Sequence, residues 1–263
     1  MHRNDDLPVA LSIAGSDSGG GAGIQADLLT FNANGVFGTT AITCLTAQNP
    51  DGVSAIEALP AAFVREQIDQ VHNYFGLGAI KTGMLYNREI ITVVSSFLAA
   101  HPEIPVVVDP VMVATSGAVL LHTSAIEALQ SELLPQAALI TPNLDEAGVL
   151  LGKSPASLLE MRQSAVQLAV RFNAPVLLKG GHLEDSNDLT DVLALPDGTL
   201  NDFTGKRVDA TNTHGSGCTL SSAIAANLAR KRSLTQSIGE ALTYLRRGLR
   251  QPLFLNGRPF IQH

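Results

Sequence analysis

Short apolar runs recur along this chain, bounded by glycine or polar residues and separated by amphipathic stretches. They occupy residues 9–14, 39–45, 79–82, 106–109, 138–141 and 176–179. A strand covered on one face alternates apolar with polar residues. Most of these runs are continuously apolar instead, as strands covered on both faces are. Helical spacing fills the gaps: Ile24, Leu28 and Phe31; Val64, Ile68, Val71 and Phe75; Leu158, Met161, Ala165, Leu168 and Phe172; Ile238, Leu242, Leu245 and Leu249. Such alternation predicts a largely parallel sheet with helices on both sides. Aliphatic stripes at this spacing read as core, and no function is drawn from them. One region breaks the rhythm. Residues 191–195, then Pro196-Asp197-Gly198, then 199–203 predict an antiparallel hairpin over an Asp-Gly turn, at the sheet edge. Nothing resembling a linker or an internal repeat divides the chain, so one domain over residues 1–263 is expected.

Composition narrows the function classes. A net charge of −7 supplies no basic patch for nucleic acid. No uncharged apolar stretch reaches the ~18 residues a membrane-spanning helix needs, and the first residues lack a signal-peptide core. Cys44 and Cys218 lie far apart and do not form a disulfide framework. A reducing cytoplasm is the expected setting.

In open α/β sheets ligands bind beyond the carboxyl ends of the strands, and chemistry-bearing residues cluster there. Gly15-Ser16-Asp17-Ser18-Gly19-Gly20-Gly21-Ala22-Gly23 follows the first strand and leads into a helix. It matches neither the dinucleotide nor the P-loop pattern, so a phosphate loop and a plain tight turn are equally good readings. His214-Gly215-Ser216-Gly217-Cys218-Thr219 opens a helix of small residues. There the N–H groups of Ser216, Gly217 and Cys218 are placed to converge on a developing negative charge. A thiol at that position has its pKa lowered by the helix terminus and can take a proton; a small buried cysteine at a close-packed helix start is the commoner alternative. Asn143 and Glu146 share a face if a helix begins there, which suits Mg²⁺ through water and equally suits ordinary capping. Asp109 ends one strand and Lys179 another, where an acid and a cation meet a ligand crevice. Asp17 and His214 are further pocket candidates, or satisfied structural groups.

Together these segments resemble one family, the hydroxymethylpyrimidine/phosphohydroxymethylpyrimidine kinases of the ribokinase-like superfamily. The resemblance runs, in order, through Ile13-Ala14-Gly15-Ser16-Asp17-Ser18, Gly20–Asp27, Leu45-Thr46-Ala47-Gln48-Asn49 and Lys81-Thr82-Gly83-Met84-Leu85. It continues through Val108-Asp109-Pro110-Val111-Met112, Ile140-Thr141-Pro142-Asn143-Leu144, Lys179-Gly180-Gly181-His182-Leu183 and residues 212–222. It implies a three-layer α/β/α fold and Mg²⁺-dependent transfer from ATP. It also implies two successive phosphorylations in one site, and a homodimer. By position it implies that Gln48 bonds the aminopyrimidine, with Gly15, Asp17, Met84 and Val111 around the ring. Gly215, Ser216, Gly217 and Cys218 would form the anion hole, with Cys218 as base. Asp109, Asn143, Glu146 and Lys179 would organise the nucleotide, and Asp109 and Glu146 would hold Mg²⁺, partly through water. Sugar kinases of the superfamily carry aspartate where Cys218 stands. The family pattern has threonine at Ser216, which keeps the hydroxyl. Two rivals follow: a pyridoxal/pyridoxine kinase of the same superfamily, against which Gln48 is the discriminating residue, and a non-catalytic nucleotide or vitamin sensor that retains the fold.

Overall fold

The computed structural model describes residues 7–112, 123–181, 188–208 and 213–263. His182, Leu183 and Asn212 of the motifs above lie outside them. A nine-stranded sheet runs in the order β3-β2-β1-β4-β5-β6-β7-β8-β9. Its parallel body is β1 (Val9–Asp17), β2 (Phe37–Asn49), β4 (Leu77–Thr82), β5 (Val106–Val108), β6 (Leu139–Ile140) and β7 (Val176–Leu178). Antiparallel strands close both edges: β3 (Gly52–Ala58) on one side, and the hairpin β8 (Asp188–Ala194)–β9 (Leu200–Lys206) on the other. The edge hairpin is thus where the Asp-Gly turn places it.

Two helical layers cover the sheet because successive strand residues point to opposite faces. Leu11, Ile13, Val106 and Val108 enter one core, with side chains from α2 (Ala61–Tyr74), α3 (Arg88–Ala100), α4 (Thr123–Ala128), α5 (Leu144–Leu151) and α6 (Leu158–Phe172). Ala10, Ala79 and Val107 enter the other, with α1 (Gly23–Ala33), α7 (Ser216–Ala229) and α8 (Leu234–Arg250). A small hairpin, β10 (Leu253–Leu255) and β11 (Arg258–Phe260), follows α8. No helix among the described residues is long and apolar enough to cross a membrane.

Within the nine-stranded sheet, the strand that sequence patterning misses is β3. Its residues are exposed or half-buried throughout, so it carries no buried apolar run to betray it. With the far end of β2 it makes a flap whose turn, Asn49-Pro50-Asp51-Gly52, is a recognisable Pro-Asp-Gly signal.

Candidate active site

A cleft of about 640 Å³ lies over the carboxyl ends of the parallel strands. Gly15, Gln48, Met84 and Val111 line it at the flap side. Leu189, Lys206, Val208, Leu242, Leu245 and Arg246 line it at the β8–β9 side. The start of α7, with Gly215, Ser216, Gly217 and Cys218, is also in its wall, as are Asp109, Asn143, Glu146 and Lys179. Every residue singled out from the sequence therefore meets in one cavity, but several hold different posts from those expected.

Asp17 is the first of these: it lines the cleft and also holds a structural post. Its carboxylate is buried and accepts N–H bonds from Gly19 (2.7 Å), Gly21 (3.1 Å) and Ala22 (2.8 Å), with His214 Nε2 at 3.2 Å. Burial alone would raise its pKa, but the His214 and backbone bonds outweigh that and hold it below the usual carboxylate range. Asp17 builds the glycine loop from within. The tight-turn reading of that loop is the one the hydrogen bonding supports.

Asn143 is the second. Its side-chain oxygen accepts the Glu146 N–H at 2.8 Å and the Glu146 carboxylate accepts the Asn143 N–H at 2.8 Å, a complete capping box for α5. The Asn143 amide oxygen is taken up by the cap. Glu146 keeps its second oxygen for other partners. Burial pushes it up to about 6, against the pull of Lys179 and with the push of Asp109. Asp109 accepts from Lys179 Nζ at 3.1 Å, Thr141 Oγ1 at 3.2 Å and Ser221 Oγ at 3.4 Å. For Lys179, burial works against the charge, yet Asp109 and Glu146 together raise its pKa.

The start of α7 is the third. Gly215 sits at φ +79°, and a Cβ there would lie 1.8 Å from the Gly21 carbonyl oxygen. Only glycine fits. Ser216 donates its N–H to Thr213 O at 3.0 Å, so it is not open to a ligand as expected. The N–H groups of Gly217 and Cys218 have no acceptor among the described residues. Of the segment read as an anion hole, two N–H donors are therefore open. The Cys218 thiol also departs from expectation: burial pushes it up to about 11, although Lys81 and the Gly23 N–H draw it down. Desolvation outweighs the helix terminus.

Sequence reasoning missed two further sets of residues. Lys81 and Asp27 form an ion pair at 2.9 Å with both side chains fully buried, and Lys81 lines the cleft. Leu242 and Leu245, read as a core stripe, line the cleft with Arg246, whose guanidinium lies 4.0 Å from the buried Asp191. Their helical spacing is the same for either role, so no sequence signal separates the two.

A ribokinase-like kinase is the class that this sheet order and strand-end site define, and the comparisons narrow it. The chain is matched over residues 17–259 by the family described as phosphomethylpyrimidine kinase. It is 47% identical over 238 residues to the hydroxymethylpyrimidine/phosphomethylpyrimidine kinase of Rhizobium meliloti, covering 90% of this chain and 88% of that one. It is 43% identical over 245 residues to the enzyme of the same name from Haemophilus influenzae, covering 92% and 91%. Among solved structures, an ADP complex of Bacillus subtilis pyridoxal kinase superposes with a TM-score of 0.90 at 32% identity, over 98% of each chain. The phosphomethylpyrimidine kinase of Clostridium difficile superposes at 0.80 and 37% identity, over 91% of this chain and 98% of that one. The chain belongs to the phosphomethylpyrimidine kinase family.

Proposed function

We propose that this protein transfers the γ-phosphate of ATP to the hydroxymethyl group of 4-amino-5-hydroxymethyl-2-methylpyrimidine, and then phosphorylates the monophosphate to the diphosphate for thiamine biosynthesis. The observation that carries the proposal is the placement of the unpartnered Gly217 and Cys218 N–H groups in the wall of a cleft with two unlike ends. A flat ring suits the end with Gly15, Met84 and Val111. The Gln48 side-chain amide, which has no partner among the described residues, is free to bond an amino group beside a ring nitrogen. A nucleotide suits the other end, with Leu242 and Leu245 against the base and Lys206 and Arg246 nearby.

In the first step the alcohol oxygen bonds to the γ-phosphorus, the bond from that phosphorus to ADP breaks, and the alcohol proton goes to Cys218 sulfur. The two N–H groups receive the charge that develops on the phosphoryl oxygens. A thiol with a pKa of about 11 is ionised in only about one molecule in ten thousand at pH 7. The first step should therefore gain from rising pH. A phosphate monoester is already an anion, so the second step needs little from Cys218. Lys179 approaches the ATP phosphates, exchanging some of its contact with Asp109. Mg²⁺ commonly binds through one or two carboxylates together with water and substrate phosphates. Asp109 and Glu146, both buried carboxylates in the cleft wall, fit that donor set and would hold the ion partly through water. When bound it would neutralise phosphate charge.

A single kinase domain, working as a cytoplasmic homodimer, is the setting we assign to it; the two free cysteines accord with a reducing compartment. The test is product analysis by mass after incubation with ATP, Mg²⁺ and either hydroxymethylpyrimidine or pyridoxal. Mono- then diphosphate from the pyrimidine supports the proposal. The superposition on pyridoxal kinase is the reason for the second arm: product from pyridoxal alone would overturn the reading of Gln48. Turnover of neither would bring forward a sensor.

A further inference from the structure

Helix α8 turns one face to the cleft. Leu242, Leu245, Arg246 and Leu249 fall at i, i+3, i+4 and i+7, and all four line it. Three are apolar and suit the base of a nucleotide. The fourth is an arginine, and a cation set into an apolar stripe that is largely shielded from water needs a partner. A Cβ built on Gly205 of β9 would lie 2.5 Å from Arg246 Cζ, so the guanidinium rests against bare backbone. Its one ion-pair partner among the described residues is Asp191 of β8, with Nη2 4.0 Å from Oδ2. That is too long for a hydrogen bond. Nη2 is buried and has no acceptor among the described residues.

A pair kept for stability would look different. It would close to hydrogen-bond distance and satisfy its donors, because a buried nitrogen left open costs free energy and a buried ion pair stabilises no better than apolar packing. Here the carboxylate is already engaged elsewhere: Asp191 Oδ1 accepts the Gly180 N–H at 2.9 Å. Gly180 follows Lys179, so Asp191 links the arginine to the strand end whose lysine approaches the ATP phosphates. Both members of the pair line the cleft, and the arginine is the more exposed, at 21% against 6% for the aspartate side chain. A guanidinium carries five N–H donors in a planar fork that matches phosphate oxygens. At Arg246 that fork stands between an apolar seat for a base and the strand end that carries Lys179.

We propose that Arg246 binds the phosphate chain of the nucleotide, its guanidinium donating to phosphate oxygens, with Gly205 and Asp191 holding it in place. This rests on the reading of the β8–β9 end as the nucleotide end, and deepens it. Lysine would not replace the arginine fully, since an ammonium is a point charge without the fork.

The test compares a nucleotide with its phosphate-free nucleoside. Dissociation constants of the full-length protein are measured for ADP by calorimetry and for adenosine by competition against ADP. The variants are Arg246→Met, which keeps the apolar stem and removes the fork, Arg246→Lys, and Gly205→Ala, which displaces the guanidinium without changing charge. Arg246→Met should weaken ADP about 10–100-fold, the range for a lost hydrogen bond to a charged group, and leave adenosine within about threefold. Arg246→Lys should recover only part of the loss. Gly205→Ala should weaken ADP in the same direction, and it carries the test alone should Arg246→Met fail to fold. Unchanged ADP binding in Arg246→Met or in Gly205→Ala overturns the proposal. So does an equal loss of ADP and adenosine, which would mark Arg246 as packing for the base seat. Failure of the nucleotide reading looks different: the wild type itself would then not bind ADP.

Discussion

Two glycine-rich turns lead into helices on the same side of the sheet, and they look alike in sequence. At α1 the donors before the helix are consumed: Asp17 takes the N–H groups of Gly19, Gly21 and Ala22. At α7 the N–H groups of Gly217 and Cys218 are left without acceptors among the described residues. A carboxylate placed just before the first turn takes up its donors as scaffolding, and its lack before the second leaves two donors open. Glycine content alone does not mark a phosphate site; what matters is whether the chain supplies its own anion.

The contrast can be broken at several points. Replacing Gly215 with alanine should have the largest effect, because its Cβ would meet the Gly21 carbonyl at 1.8 Å and its φ is +79°. Displacing the α7 donors should cost both phosphorylations about 10²–10³-fold in kcat. Retention of either step within tenfold in steady-state assays would show that the donors at α7 do not carry the transfer. Asp17→Ala should act mainly on stability. It leaves three N–H groups without their acceptor, costing about 1–3 kcal/mol in urea denaturation, with kcat of both steps kept within a few-fold. A collapse of kcat at unchanged stability would move Asp17 into the chemistry.

The pH profiles sharpen the comparison further. Glu146, with a pKa pushed up to about 6, should give both steps a common acid limb below that pH as its carboxylate takes a proton. Above it the second step should level off. The first should go on rising toward pH 11, as the Cys218 thiol ionises. Parallel profiles would count against this. The smallest effect is on folding. Asp17 is held below the ordinary carboxylate range, so its stabilisation is complete above that range and is lost as pH falls through its depressed folded value. Thermal melts of the wild type should decline over that acid window more steeply than those of Asp17→Asn.

The sheet was legible in the chain because strands buried on both faces are mostly continuously apolar, and β5, β6 and β7 obey that. Gly215 and Cys218 drew attention as a glycine-rich start to a helix of small residues, and the fold places both in the cleft wall. Three features were hidden for stated reasons. β3 pairs as an exposed flap, so burial leaves no mark on it. Lys81 finds its counter-charge 54 residues away, and only the fold brings Asp27 to it. The thiol of Cys218 sits at a helix start that should lower its pKa, but the sequence does not disclose how far burial reverses that. Asn143 and Glu146 supported two readings from the start, and the capping box shows that one pair can cap a helix while its carboxylate stays in the cleft wall.

The central claim is that one site runs two transfers and that Cys218 serves only the first. Single-turnover rates of both phosphorylations in Cys218→Ala test it most directly. The account predicts that monophosphate formation slows by about 10²–10⁴-fold, the range of a lost general base, while diphosphate formation stays within a few-fold of wild type. Equal losses in the two steps, or none in the first, would contradict it.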